Sequence, residues 1–178
     1  MLPSHRYFFC LRPPPALARR IGSFRDGLGY AGTVVADERL HVTLGITNDY
    51  PEHSGRAAGG MAAIGGLIDA EPFNLCLDRL SGNEAVVALR PSRRPPQLGI
   101  LQRQIERWLR RSGLLRDGWR FNPHITLIYR AGEPFLRAAA PFEWAATELV
   151  LVHSVVGATR DIELARWPLL RRQLELAV

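Results

Sequence analysis

No lysine occurs in this chain, and all 23 of its basic side chains are arginine against 17 carboxylates, for a formal charge of +6. The positive surface therefore belongs to guanidinium groups, whose planar fork can grip a phosphate with two hydrogen bonds and so suits a phosphorylated polymer. Cysteine is scarce. Cys10 and Cys76 are isolated, form no C-x-x-C pair and sit in strand-like runs, so they read as reduced, buried thiols. No spacing of histidine, cysteine and carboxylate suggests a metal site, and neither a metal nor another cofactor is expected. Long apolar runs are missing too. The N-terminal run Tyr7 to Leu11 is followed at once by Arg12 and three prolines, too short for a signal-peptide core, and nothing approaches a membrane span. The expectation is a cytoplasmic, monomeric protein with no membrane contact. Its 178 residues, 47 % hydrophobic, suffice for one compact unit.

Against this background one short pattern occurs twice. Arg-Leu-His-Val-Thr-Leu spans 39–44 and Asn-Pro-His-Ile-Thr-Leu spans 122–127, with the two histidines 83 positions apart. Only five histidines and six threonines are present, so two histidines each followed two places on by threonine is roughly a one-in-a-hundred coincidence. Residues two apart on a strand share a face, which pairs His41 with Thr43 and His124 with Thr126 and turns Val42 and Ile125 to the core. A polar pair on an otherwise buried strand needs water, a partner or a ligand, because an unpaired buried polar group is costly. Two such strands together would supply two imidazoles and two hydroxyls around one cavity. His5, His53 and His153 lack the pattern and read as surface or structural residues.

Residues 5–11 read as a mostly buried strand, after which Pro13 to Pro15 open a helix running to about Asp26. The first motif strand covers 39–47, and a glycine-weakened helix covers 56–70. Strands at 72–80 and 84–90 form a hairpin about Ser81-Gly82-Asn83. From Pro95 to Arg111 the apolar positions Leu98, Leu101, Ile105, Trp108 and Leu109 follow the helical period, with arginines opposite. The second motif strand covers 121–129, and 147–156 and 161–167 are closing strands. The order implies an α+β protein of two similar halves, each carrying one motif on a strand beside a helix.

Two proton carriers across a small cavity suit in-line displacement at phosphorus, one taking a proton from the nucleophile and the other protonating the leaving oxygen. The threonine hydroxyls would hold the non-bridging oxygens. A strained 2′,3′-cyclic phosphate, opened by a single attack of water, fits this machinery without metal or covalent intermediate.

His41-Val42-Thr43-Leu44 and His124-Ile125-Thr126-Leu127 at this separation resemble the 2H phosphoesterases, and among them the bacterial RNA 2′,3′-cyclic phosphodiesterases, also called 2′-5′ RNA ligases. The opening Arg-Tyr-Phe-Phe-Cys-Leu, the Phe-Asn-Pro-His lead, the Leu-Val-His-Ser-Val-Val-Gly run and Ala-Arg-Trp-Pro-Leu at 165–169 look similar as well. The resemblance implies a bilobal, pseudo-symmetric fold over 1–178, two antiparallel-sheet lobes with outer helices and a central cleft. It also implies hydrolysis of RNA 2′,3′-cyclic phosphate ends to a 2′-phosphate, and reversible 2′-5′ joining. Carried over, His41 would be the acid at O3′ and His124 the base for water, labels that the sequence leaves exchangeable, with Thr43 and Thr126 on the phosphate. Relatives often place an arginine five positions after the second histidine; here that residue is Tyr129, and the arginine follows as Arg130. If the strand stays regular, an even offset from His124 returns Arg130 to the cleft as a phosphate contact.

Two other readings share these residues. The substrate could be another cyclic phosphate, of ADP-ribose or a small cyclic nucleotide. Alternatively, nine arginines between Arg90 and Arg120 could make the chain an RNA-binding module with little chemistry, although charge on one side of an amphipathic helix is equally a solvated face.

Overall fold

The computed structural model describes residues 4–170. Nine strands and three helices follow in the order β1 (Ser4–Leu11), α1 (Pro15–Asp26), β2 (Thr33–Val34), β3 (Val42–Ile46), α2 (Gly55–Gly65), β4 (Phe73–Gly82), β5 (Val86–Arg90), α3 (Pro96–Arg111), β6 (Ile125–Tyr129), β7 (Phe135–Ala146), β8 (Glu148–Val156) and β9 (Arg160–Pro168). Each helix has a local cause. Prolines occupy the first turns of α1 and α3, where the missing N–H is not needed, and Ser54 caps α2 by accepting the N–H of Ala57 at 3.1 Å.

All strand pairs are antiparallel, in the order β7-β4-β5-β6-β3-β1-β8-β9, with β2 beside β6. The sheet divides at its middle. The motif strands β3 and β6 meet through the single pair Val42 and Ile125, so β3-β1-β8-β9 and β6-β5-β4-β7 form two halves hinged at the motifs. The halves correspond strand for strand, since each motif strand pairs with the strand that precedes an intervening helix (β1 or β5), and that strand pairs in turn with β8 or β4.

The helices cover one face. α3 packs on β3 and α2, α2 on β1, β8 and β9, and α1 on β6 and β7. Beneath them lies a continuous core including Tyr7, Phe9, Leu44, Leu89, Ile105, Leu109 and Leu127, all fully buried. Burying each such side chain is worth about 1.5–3 kcal/mol, which keeps the motif strands seated on the helices. Tyr7 and Phe9 thus serve packing. On the other face of the first half, Phe8, Cys10, Val150 and Val152 form a separate apolar cluster.

Several boundaries differ from the sequence reading. The first motif strand begins at Val42 because Asp37–Arg39 form a short 3-10 turn, and α2 stops at Gly65 rather than Ala70. The long strand β7, with its many exposed positions, is an element that alternation did not disclose. Cys10 is buried, with burial pushing its thiol up to about 12, whereas Cys76 is only half-buried. Among the described residues, no helix is long and apolar enough to cross a membrane.

Candidate active site

Both motif histidines stand one residue before their strands, where β3 and β6 splay from their single shared pair. His41, Thr43, His124 and Thr126 all line one cleft of about 510 Å³, on the sheet face away from α2 and α3. Arg6, Phe8, Arg39, Ile46, Tyr129 and Asp161 are among the other lining residues. A larger cavity of about 650 Å³ lies by the start of α1 and contains none of the four motif residues.

The same backbone device orients the two imidazoles. Nδ1 of His41 donates to the carbonyl of Arg39 at 2.6 Å, and Nδ1 of His124 donates to the carbonyl of Asn122 at 2.7 Å. A carbonyl can only accept, so each neutral ring carries its proton on Nδ1 and leaves an Nε2 lone pair. Phe8 stacks on His41 with ring centroids 4.5 Å apart and fixes its plane.

The surroundings differ in charge. Burial pushes His41 down to about 4; the carbonyl of Arg39 and the charge of Asp161 oppose this, while Arg12 and His124 reinforce it. Asp161 is held by Arg39 at 2.9 Å and by Ser154, and these contacts keep its carboxyl ionised despite its own burial. His124 is lowered first by burial, against the Asn122 carbonyl, and further by Arg90. His41 has both a carboxylate and a guanidinium nearby, whereas His124 has a guanidinium and no opposing carboxylate. The cleft accordingly holds two neutral rings ready to accept protons.

Arg130 takes a different place from the one strand parity gave it. Across β1 and β3, Phe9 pairs with Gly45 and Cys10 with Thr43, leaving Leu44 as an extra residue; across β5 and β6, Val87 pairs with Ile128 and Ala88 with Thr126, leaving Leu127 extra. Such a bulge reverses the alternation beyond it. Leu127 and Ile128 are both in the core and Tyr129 comes to the cleft. Arg130, just past the strand, lays its guanidinium 4.5 Å from the centroid of Tyr30 and is not among the cleft-lining residues.

The arginines of α3 also lie away from the cleft. A Cβ on Gly45 would meet Ile105 and Leu109, which puts α3 on the opposite face of β3, and Arg107 and Arg111 cover Trp108. His5, His53 and His153 gather on that covered face around Tyr7, with His5 Nδ1 and His153 Nε2 sharing a hydrogen bond of 2.8 Å. The sequence reading missed Asp161, which lies 120 residues from His41 and comes near it only through the β1-β8-β9 pairings. Among the described residues, no group of three or more histidine, cysteine or carboxylate side chains is arranged to hold a metal ion.

Comparison with known proteins gives concordant matches. A family model described as the 2′-5′ RNA ligase superfamily matches residues 13–158. The RNA 2′,3′-cyclic phosphodiesterase of Escherichia coli (strain K12) is 31 % identical over 174 residues, covering 92 % of this chain and 96 % of that protein. The crystal structure of E. coli LigT complexed with 3′-AMP superposes with a TM-score of 0.80 at 28 % identity, over 94 % of this chain and 99 % of that one. The structure of TT0787 of Thermus thermophilus, at 20 % identity and a TM-score of 0.73 over 92 % and 97 % of the two chains, shares the fold.

Proposed function

This chain belongs to the 2′-5′ RNA ligase superfamily, and on that footing we propose that it hydrolyses the 2′,3′-cyclic phosphate at RNA 3′ ends, leaving a 2′-phosphate. His41 and His124 are the acid–base pair, and the hydroxyls of Thr43 and Thr126 hold the non-bridging oxygens. The observation that carries this reading is the convergence of both motifs on one cleft, each Nδ1–H spent on a carbonyl and each Nε2 free.

The charge asymmetry supports a division of labour. His124, beside Arg90, stays neutral and takes the proton of the attacking water. His41, near Asp161, is the ring whose imidazolium has a carboxylate to stabilise it, and it protonates O3′. Water oxygen bonds to phosphorus, the P–O3′ bond breaks, and the ring is open. The substrate's own negative charge favours the imidazolium that His41 must become. A 5′-hydroxyl in place of water would give a 2′-5′ linkage by the same steps, and their reversal would cleave it. The same reading has the chain acting as a single-domain monomer in the cytoplasm.

The test is to incubate the protein, with a chelator present, with an oligoribonucleotide ending in a 2′,3′-cyclic phosphate and to identify the product by phosphorus NMR. A 2′-phosphate is expected. An unopened ring, or a 3′-phosphate, would contradict the proposal.

A further inference from the structure

The two halves offer opposite surfaces to the cleft. In the first half Arg12 reaches Glu163 at 3.5 Å, Arg39 reaches Asp161 at 2.9 Å, and the ground between is apolar. In the second half the equivalent surface carries Arg79 and Arg90, directly opposite each other on the β4-β5 ladder. Like charges in that position repel. No carboxylate among the described residues forms an ion pair with either; Asp78, next to Arg79 in the chain, spends its hydrogen bonds on Ser92 at 2.7 and 2.6 Å and reaches Arg79 only through the longer-range attraction of its charge. Arg90 is anchored through Nε to the hydroxyl of Ser81 at 2.7 Å, which makes no use of its terminal N–H groups.

Arg90 also stands beside the reacting end of the cleft. Leu89 pairs with Ile125, so one step further along the ladder Arg90 faces His124. On its other side the charge of Arg94 bears on it, and the Arg94 guanidinium lies 5.9 Å from the ring centroid of Phe121. Phe121 is three residues before His124. The half-buried Arg79 and Arg90, the exposed Arg94 and the Phe121 ring thus form a strip leading away from His124. Keeping the two half-buried charges partly desolvated without an ion-pair partner is unfavourable unless an anion joins them.

We infer that Arg79, Arg90 and Arg94, with Phe121, form a track for the single-stranded RNA attached to the cyclic phosphate, the arginines taking successive phosphates and Phe121 offering a face for a base. This rests on the proposed function, which it extends from the cyclic end to the chain behind it. It places the polymer on the second half, where Arg103 of α3 borders the same hollow as Arg94 and Phe121.

The experiment compares KM for a nucleoside 2′,3′-cyclic monophosphate with KM for an oligoribonucleotide carrying the same end, in the wild type and in Arg79→Gln/Arg94→Gln. The ratio should move against the oligonucleotide by about tenfold for each guanidinium removed. Fluorescence anisotropy with a labelled single-stranded oligoribonucleotide should show the salt slope of binding reduced by about 1.4 when two phosphates are no longer neutralised. Arg79→Lys/Arg94→Lys, which keeps the charges, should retain most of both and separates charge loss from misfolding. An unchanged ratio and salt slope in the glutamine variant would overturn the track. Failure of the wild type to open any cyclic phosphate would instead overturn the proposed reaction, while the anisotropy comparison still tests the track.

Discussion

Leu44 and Leu127 occupy the same place in two related β-bulges, each the extra residue three positions after its motif histidine. Both are fully buried. Each bulge sends two consecutive residues to the core and returns the fifth residue after the histidine to the cleft, Ile46 in one half and Tyr129 in the other. The two halves therefore share a backbone irregularity as well as a motif, and that irregularity decides which side chains border the cleft.

Arg130→Ala should change kcat/KM on a cyclic-phosphate-ended oligonucleotide by no more than about twofold, since its guanidinium covers Tyr30 outside the cleft. A loss on the scale of a missing phosphate contact, about tenfold or more, would show that the arginine swings into the cleft after all. Steady-state kinetics of this one variant decides the matter.

In the proposed mechanism Asp161 acts through His41. Its carboxylate favours the imidazolium, so Asp161→Asn should lower the pKa of His41 further and reduce the fraction available as acid. The basic limb of the kcat profile then moves to lower pH, and a shift of one unit lowers the rate on that limb by about tenfold. Asp161→Glu, which restores the charge, should move the limb back. A slower enzyme with an unshifted limb would leave Asp161 as a purely structural partner of Arg39.

Gly65 closes α2 against β9. A Cβ there would lie 2.3 Å from the ring of Trp167, a rigid neighbour that has no flexible end to withdraw. Gly65→Ala should destabilise the fold by about 1–3 kcal/mol, read from the urea midpoint. Gly59→Ala faces open space in the same helix and should stabilise slightly by propensity.

What the sequence disclosed was what repeats locally. The two motifs, the prolines opening α1 and α3, and the apolar period of α3 each depend on neighbours within a few residues, and all lie close to where the pattern put them, although both histidines stand just before their strands rather than within them. The bulges left no such mark. Leu127-Ile128 is as compatible with a regular strand as with a bulged one, and the parity argument for Arg130 failed there. β7 escaped because its outward positions include alanine, leucine and proline as well as arginine and glutamate, which blurs the alternation. Asp161 and the Arg79–Arg90 pair are products of sheet order, which no local spacing encodes.

The most direct test of the two-histidine account is the pH dependence of kcat and kcat/KM for the wild type, His41→Ala and His124→Ala. A base must be neutral, so rate rises with pH through its pKa; an acid must be protonated, so rate falls through its pKa. Burial holds both rings below the ordinary value of 6.5, which displaces the kcat/KM bell of the free enzyme to the acid side. The bound phosphate's charge favours the imidazolium, so the kcat bell should lie at higher pH. His124→Ala should lose the acidic limb and His41→Ala the basic limb, each with turnover lowered by about 10²–10⁴-fold. A wild-type profile flat through the imidazole range, or both limbs surviving in both variants, would contradict the account.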